Sequence, residues 1–146
     1  MDIAYKIMRE GAKAPFYATA GAAAADLCAI CAEEGVTIAP GEHKIVPTGI
    51  AIELPCAEAV ALLFARSGLS IKHGIALSNG VGVIDSDYRG EICVSLVNTS
   101  AVPYTIANGE RIAQLAIMPV FSAQFIRADA LSTTARGHGG LGSTGK

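Results

Sequence analysis

The segment that indicates the fold most directly is Tyr104-Thr-Ile-Ala-Asn-Gly-Glu-Arg-Ile-Ala-Gln-Leu-Ala-Ile117. Two short runs with a high content of apolar residues flank the dipeptide Asn108-Gly109. Asn-Gly readily adopts the positive φ angles of the tight turns that join antiparallel strands. The segment therefore predicts a β-hairpin.

Turns and short apolar runs alternate along the rest of the chain in the same way. Pro40-Gly41 and Asn79-Gly80 are typical turn dipeptides, and runs with alternating or wholly apolar character lie between the turns. Turns that recur every ~8–12 residues predict an all-β sandwich or barrel of antiparallel strands. We expect a final strand over residues 120–126.

One short helix is predicted, over residues 67–72. The alanine-rich residues 20–25 have helical propensity but neither a cap nor a helical period, so we expect a loop that leads into a strand. A chain of 146 residues predicts one domain, over residues 1–130. The polar, glycine-rich residues 131–146 are expected to form a mobile C-terminal arm.

The composition restricts both the core and the partners of the protein. Apolar residues make up 51% of the chain and aromatic residues only 5%, so the core must consist of small aliphatic side chains, which bury little area each. We therefore expect contacts between subunits to complete the buried surface. The net charge of −2 argues against nonspecific nucleic-acid binding. Because no apolar run is long enough to span a bilayer and the first residues lack a signal-peptide pattern, we expect no membrane partner.

The four cysteines raise the alternative of a metal or redox site. Cys28 and Cys31 have the Cys-x-x-Cys spacing, but a structural zinc site would require a second close pair, and Cys56 and Cys93 stand alone. Small, half-buried thiols in a strand are the simpler interpretation. Reduced thiols predict a cytoplasmic protein.

Residues 77–91 combine a glycine-rich turn with a dense group of polar side chains. We expect the turn to be a hairpin whose backbone offers N–H and C=O groups to a flat ligand. Asp85 follows Val83-Ile84 and so lies between core and surface, where a carboxylate can act as general base toward a water. The alternative is an acidic turn that only keeps the loop soluble, and the residues leave both interpretations open.

Two further groups of polar residues could bind an anion. Arg66-Ser67-Gly68 offers a guanidinium, a hydroxyl and a glycine amide after an apolar run, although an ordinary surface turn would look the same. Arg111 and Gln114 flank the start of an apolar strand, and either could contact a ligand or cap the predicted hairpin.

Asp26 interrupts an apolar run, where a buried carboxylate without a partner would be costly. We expect that partner to be the water of a metal ion, an arginine or backbone amides.

Residues 136–146 contain too many glycines to form a helix or strand by themselves. They carry Arg136, Ser143, Thr144 and Lys146, groups that bind phosphate, among glycine amides that can approach an anion closely. The spacing is similar to the start of a P-loop, but a P-loop needs a following helix. We predict an arm that orders over a phosphorylated ligand; the alternative is a terminal tail without a role.

Taken together, these segments resemble the trimeric dUTPase family, the deoxyuridine triphosphate pyrophosphatases. The five motifs of that family match, in order, residues 23–27, 66–70, 79–91, 109–115 and 136–145. The resemblance implies an all-β antiparallel jelly-roll and a homotrimer in which three chains build each active site. It also implies hydrolysis of dUTP to dUMP and pyrophosphate with magnesium (Mg2+), which limits uracil in DNA and supplies dUMP for dTMP synthesis.

The resemblance also implies a role for each matching residue. Asp85 is expected to activate the water that attacks the α-phosphorus, and Tyr88 to pack under the deoxyribose and leave no room for a 2′-hydroxyl. Asp26 is expected to lie near the water shell of Mg2+, which the substrate phosphates mainly hold. The expected uracil contacts are Asn79, Gly82, Val83, Ile84 and Cys93. The expected phosphate and arm contacts are Arg66, Ser67, Gly68, Gln114, Arg136, Leu141, Ser143 and Thr144.

Three positions depart from the usual motifs of that family. Leu141 stands where an aromatic ring commonly stacks on uracil, Ala24 replaces a frequent glycine, and Ala65 precedes Arg66 where Pro or Gly is usual. Two alternatives share features with this interpretation. A dCTP deaminase has the same fold, but the full arm is typical of dUTPases. A non-catalytic trimeric nucleotide-binding regulator would not need the base.

Overall fold

The computed structural model of the protein describes residues 1–140 and consists almost entirely of antiparallel strands. Within those residues it contains eleven strands and one short helix, α1. The strands are β1 (Ala4–Ile7), β2 (Ala25–Cys28), β3 (Val36–Ile38), β4 (His43–Pro47), β5 (Ile50–Glu53), β6 (Ala59–Ala65), β7 (Ile75–Leu77), β8 (Gly82–Ile84), β9 (Cys93–Asn98), β10 (Tyr104–Ile106) and β11 (Arg111–Pro119). The helix α1 is Ser67–His73. This architecture confirms the predicted fold class, an antiparallel jelly-roll with one short helix.

The strands form several small sheets that share one core. The largest has the order β2-β11-β6-β8, so that β11 pairs with β2 on one side and with β6 on the other, and β8 forms one edge. A second sheet has the order β4-β9-β7, and the pairs β1-β5 and β10-β3 complete the structure. The edge position of β8 matters for function, because the backbone of an edge strand has groups without a strand partner.

The predicted hairpin at Asn108-Gly109 is wrong in its pairing. The turn forms, with Gly109 at φ 74°, but β10 pairs with β3 whereas β11 pairs with β2 and β6. A turn dipeptide specifies only a local reversal of the chain, and packing selects the partners. Ile106 before the turn and Ile112 after it are both buried in the shared core.

The turn at Asn79-Gly80 departs from the predicted hairpin in the same way. Gly80 has φ 72°, but β7 pairs with β9 and β8 pairs with β6. The turn therefore carries the chain from one sheet to another, which leaves a space between β8 and β9.

The strand expected over residues 120–126 is also wrong. Regular structure ends with β11, and residues 120–140 form irregular backbone that is almost wholly exposed. Phe121 and Phe125 are 98% and 96% exposed. Apolar character suggested a strand, but within residues 1–140 no strand pairs with this segment.

The core is built from aliphatic side chains, as the composition predicts. Buried Val and Ile side chains from several sheets meet in one cluster, and Ala61 and Ala113 on neighbouring strands are fully buried. The helix α1 covers one end and buries Leu69. It confirms the helix predicted over residues 67–72 and ends at Gly74, whose φ of 69° suits glycine.

Candidate active site

A cavity of about 230 Å³ lies between β8 and β9, at the edge of the four-stranded sheet. Its walls combine backbone of the edge strand with apolar side chains and a few polar groups. Such a combination is typical of pockets that orient a small organic ligand. The lining residues are Leu63, Leu77, Asn79, Gly82, Val83, Ile84, Asp85, Tyr88, Glu91, Ile92, Cys93, Val94 and Ser95.

The back of the cavity depends on close packing between β8 and β6. Gly82 pairs with Leu63, and a Cβ at Gly82 would lie only 2.9 Å from the Cβ of Leu63. Glycine therefore lets the edge strand approach its neighbour. Nearby, the Ser78 hydroxyl donates to the main-chain oxygen of Ser95 at 3.3 Å, and the hydroxyls of the two serines lie 2.6 Å apart.

The loop from Asp85 to Glu91 forms the rim of the cavity. The Asp85 side chain is exposed there, and its main-chain oxygen accepts the Tyr88 N–H at 3.2 Å. The Tyr88 hydroxyl donates to the main-chain oxygen of Glu91 at 3.0 Å. The Tyr88 ring lies against Gly90, where any Cβ would collide with it. The loop thus presents a carboxylate and the face of an aromatic ring at the mouth of one cavity.

Two arginines fasten this loop to the rest of the molecule. Arg89 donates to Ser86 O and Tyr88 O at 2.8 and 3.1 Å, and to Glu53 at 3.2 Å. Arg9 forms two parallel hydrogen bonds to Glu91, at 2.7 and 2.8 Å.

Glu91 is the more buried of the two carboxylates that these arginines bind, with its side chain 16% exposed against 61% for Glu53. It also accepts the Gly49 N–H at 2.8 Å. The hydrogen bond from Arg9, helped by that of Gly49 and by the charge of Arg9, holds the pKa of Glu91 below its ordinary value although burial opposes this. The Glu91 side chain is therefore a fixed anion beside the cavity.

A second cluster of charges surrounds Asp26, which is only 2% exposed. Arg66 Nε donates to Asp26 Oδ1 at 3.2 Å, and Arg111 Nη1 donates to Oδ2 at 2.9 Å. Gln114, which faces Asp26 across the β11-β2 ladder, lies 3.5 Å from Oδ1. Of the partners expected for Asp26, the structure provides arginine. Two guanidiniums on one carboxylate leave an excess positive charge, which suits an anionic ligand.

The structure sorts the predicted site residues into groups. The cavity is lined by the residues expected to contact the nucleoside, namely Asn79, Gly82, Val83, Ile84, Tyr88 and Cys93, and by the expected base Asp85. The residues expected to contact phosphate, or in the case of Asp26 the water shell of Mg2+, do not line it. Asp26, Arg66 and Gln114 form the second cluster, and Ser67 and Gly68 are exposed at the start of α1. Arg136 lies in the exposed C-terminal segment, with its Nε 3.0 Å from Gly139 O. Leu141, Ser143 and Thr144 lie outside the described residues.

Two site residues were missing from the predicted set. Arg111 was considered but not assigned, because the strand pattern alone gave it two possible roles. Arg9 had no local signal, since its partner Glu91 is 82 positions away in the sequence. Only the fold brings such a pair together.

The cysteines and the possible metal ligands are arranged as follows. All four thiols are free, and burial raises the pKa of Cys28, Cys31 and Cys93. Cys93 thus contributes a neutral wall to the cavity at neutral pH. Among residues 1–140 no group of three or more His, Cys, Asp or Glu side chains is placed to hold a metal ion. Within the same residues, no helix has the length and apolar character needed to cross a membrane.

Comparisons with known proteins agree on one family. A family model described as dUTPase matches residues 10–145. The chain is 54% identical, over 145 residues, to a deoxyuridine 5'-triphosphate nucleotidohydrolase of Desulfitobacterium hafniense. The matched region covers 99% of this chain and 95% of that protein. It is similar to a solved dUTPase of Staphylococcus bacteriophage 80alpha with dUPNHPP, with TM-score 0.89, 25% identity and 99% of both chains covered.

A second solved structure shows the same fold at lower identity. It is a dUTPase from phage phi11 of S. aureus, described with the coordination of a structural Mg(II) ion. The match has TM-score 0.81 and 21% identity and covers 91% of this chain and 100% of that one.

Proposed function

The chain belongs to the dUTPase family and hydrolyses dUTP to dUMP and pyrophosphate as a dUTP diphosphatase, and we propose how its residues divide this work. The observation that carries the proposal is the cavity between β8 and β9. One wall is an edge strand, and Asp85 lies at the rim. We assign the uracil and deoxyribose to this cavity, with the α-phosphate near Asp85.

Uracil recognition follows from the edge position of β8. Edge-strand backbone can hydrogen-bond to the uracil edge as a neighbouring strand would, with Asn79 and the backbone at Cys93 as further contacts. Cytosine would present a donor where an acceptor is needed, and each mismatched buried polar group costs ~1–3 kcal/mol. The close packing of Gly82 on Leu63 supports a narrow pocket that excludes the methyl group of thymine.

Asp85 is proposed to take a proton from the water that attacks the α-phosphorus. Its exposed position at the rim supports this role, because a general base must reach solvent and substrate together. Tyr88 is proposed to pack under the deoxyribose and to leave no room for a 2′-hydroxyl. The hydrogen bond from the Tyr88 hydroxyl to the main-chain oxygen of Glu91 supports a fixed position of the ring.

Arg66, Ser67, Gly68 and Gln114 are proposed to bind the phosphates. The two guanidiniums on Asp26 support this proposal, because they supply positive charge in a protein whose net charge is −2. Mg2+ would neutralise negative charge on the triphosphate as the bond breaks. Magnesium commonly retains a shell of several waters and binds mainly to substrate phosphates. Asp26 alone, in contact with those waters and not with the ion, would therefore be enough from the protein. A carboxylate has about four acceptor sites, so Asp26 can accept a hydrogen bond from that shell besides its arginine contacts.

The active protein is proposed to be a homotrimer with shared sites. The cavity and the Asp26 cluster do not line one pocket in a single chain, which supports completion of each site by a neighbouring copy. We further propose that residues 131–146 form an arm that closes over dUTP bound to another chain, with Leu141 covering the uracil. Nearly all of residues 120–140 are exposed to solvent, which supports an arm that packs on a neighbouring chain and not on its own.

We also propose that the protein acts in the cytoplasm, without nucleic acid or membrane as a partner. Four free thiols support a reducing compartment. The net charge of −2 gives no support to binding along a nucleic-acid backbone.

The test of the catalytic assignment is Asp85→Asn, assayed for pyrophosphate release from dUTP with magnesium. We expect turnover to fall ~10²–10⁴-fold, the usual contribution of a positioned base, while nucleotide binding persists. Asp87→Asn is the matched control, because Asp87 is an exposed carboxylate on the same loop that does not line the cavity. Unchanged turnover in Asp85→Asn would remove Asp85 from the mechanism.

A further inference from the structure

The pair between Arg9 and Glu91 joins the start of the chain to the rim of the cavity. Arg9 Nε and Nη2 donate to the two carboxylate oxygens of Glu91, at 2.7 and 2.8 Å, in the two-bond geometry that fixes a side chain most firmly. Arg9 lies just after β1 and does not line the cavity, whereas Glu91 does. Any effect of Arg9 on substrate must therefore pass through Glu91.

Glu91 is held on more than one side. Its Oε1 accepts the Gly49 N–H at 2.8 Å, and Gly49 O in turn accepts the Met8 N–H at 2.7 Å. The next residue, Ile92, donates its N–H to Ile50 O at 2.8 Å. The N-terminal segment, the turn at Gly49 and the end of the cavity loop thus form one hydrogen-bonded unit.

Tyr88 depends on this unit for its position. Tyr88 is 46% exposed, so packing alone does not fix its ring, and its hydroxyl donates to Glu91 O at 3.0 Å. If the Glu91 side chain lost Arg9, a carboxylate that is largely removed from solvent would lack its countercharge. It would gain by turning toward water, and the main-chain oxygen that holds Tyr88 would shift with it.

We propose that Arg9 is a positioning residue that, through Glu91, fixes the Tyr88 ring and thereby sets the preference for deoxyribose over ribose. This inference rests on the proposed role of Tyr88 in excluding a 2′-hydroxyl. Arg89 holds the main chain of the same loop through Ser86 O and Tyr88 O, but it does not bind Glu91, which anchors the Tyr88 hydroxyl. Its ion pair with Glu53 is weak, because the two side chains are 50% and 61% exposed.

The test compares kcat/KM for dUTP and UTP in Arg9→Gln, Arg9→Lys, Tyr88→Phe and the double variant Arg9→Gln/Tyr88→Phe. Because Arg9→Gln removes the two charge-assisted hydrogen bonds to Glu91, we expect it to lower the dUTP-to-UTP ratio roughly tenfold. Because a displaced Tyr88 ring would make room for the 2′-hydroxyl, most of the change should appear as a lower KM for UTP. Arg9→Lys keeps the charge without the two-bond geometry and should restore the ratio in part.

Tyr88→Phe removes the hydroxyl that Glu91 holds and should lower the ratio in the same direction. Because Arg9 and Tyr88 act through one contact, the double variant should lose no more than the worse single variant. Lys44→Gln is the control. It breaks the ion pair between Lys44 and Glu42, whose side chains are 42% and 37% exposed and do not line the cavity, and it should leave the ratio unchanged.

The inference and its premise fail in different ways. If Tyr88→Ala leaves the dUTP-to-UTP ratio unchanged, the proposed role of Tyr88 is wrong and the inference falls with it. If Tyr88→Ala lowers the ratio but Arg9→Gln does not, only the role of Arg9 is overturned. An equal fall for both nucleotides in Arg9→Gln, together with a lower melting temperature, would make the pair merely structural and would also overturn it.

Discussion

The Asp26 carboxylate is almost completely buried, and its charge is compensated by Arg66 and Arg111. The arginine side chains are 21% and 42% exposed, so the three groups form a bridge from the core to the surface. The carboxylate fixes the two cations, and the cations remain accessible to a ligand. One acidic residue in an apolar strand thus organises the positive end of the site.

Asp26→Asn should therefore destabilise the protein strongly. The substitution leaves two partly buried guanidiniums without their anion, and removing one member of a buried ion pair typically costs ~3–5 kcal/mol. Since both arginines are partly exposed, we expect about 3 kcal/mol in the free energy of unfolding, measured with urea. Glu53→Gln, which removes an exposed ion pair with Arg89, is the control and should cost less than about 1 kcal/mol. Equal losses in the two variants would contradict this account of Asp26.

The residue scale also shows what sequence can predict about such a site. An aspartate in an apolar run demands a partner, and this much follows from desolvation alone. The choice of Arg66 and Arg111 depends on the β11-β2 and β11-β6 ladders, which no local pattern specifies. Arg9 is the extreme case, because its contact with Glu91 spans 82 positions.

At the level of elements, the positions of several strands were predictable, although the strand expected over residues 120–126 was not found, and the pairing partners were not predictable. The short apolar runs at residues 60–64 and 92–97 predict strands that lie within one residue of β6 and β9, because apolar patterning is a local property. The two turns at Gly80 and Gly109 instead connect strands of different sheets. This departure creates the cavity. In a hairpin at Gly80, β7 would pair with the free edge of β8 and fill the space that the cavity occupies.

The packing of β8 on β6 can be tested through Gly82. In Gly82→Ala the new Cβ would lie 2.9 Å from Leu63 Cβ and 3.0 Å from its Cδ1, so the edge strand must move outward. We expect a cost of ~1–3 kcal/mol in unfolding free energy, the usual range for overpacking, together with a higher KM for dUTP. Gly21→Ala is the control, because a Cβ there meets nothing within 4 Å. If Gly82→Ala matched Gly21→Ala in both unfolding free energy and KM for dUTP, the close approach of β8 to β6 would matter neither for stability nor for substrate binding.

At the scale of the whole molecule, neither the Asp26 cluster nor the described part of the exposed C-terminal segment lines the cavity that we assign to the nucleoside. The apolar side chains of Phe121, Phe125 and Ile126 are 98%, 96% and 79% exposed at the start of that segment. Large apolar side chains this exposed are available for contact with a partner. Another copy of the chain would both cover them and bring the separate groups together, which the composition had already suggested through its small core side chains.

Two inactive variants can test whether sites are shared between chains. Asp85→Asn removes the proposed base, and deletion of residues 136–146 removes the arm; each alone should fold and show little activity. A site works only when its Asp85 comes from a truncated chain and its arm from a full-length chain. In trimers reassembled from an equal mixture each condition is met in about half of the sites, so about a quarter of wild-type activity should return. If Asp85 and the arm of one site came from the same chain, every site would lack one of them, and mixing would restore nothing. Assays of pyrophosphate release before and after reassembly, with each variant reassembled alone as control, separate these outcomes.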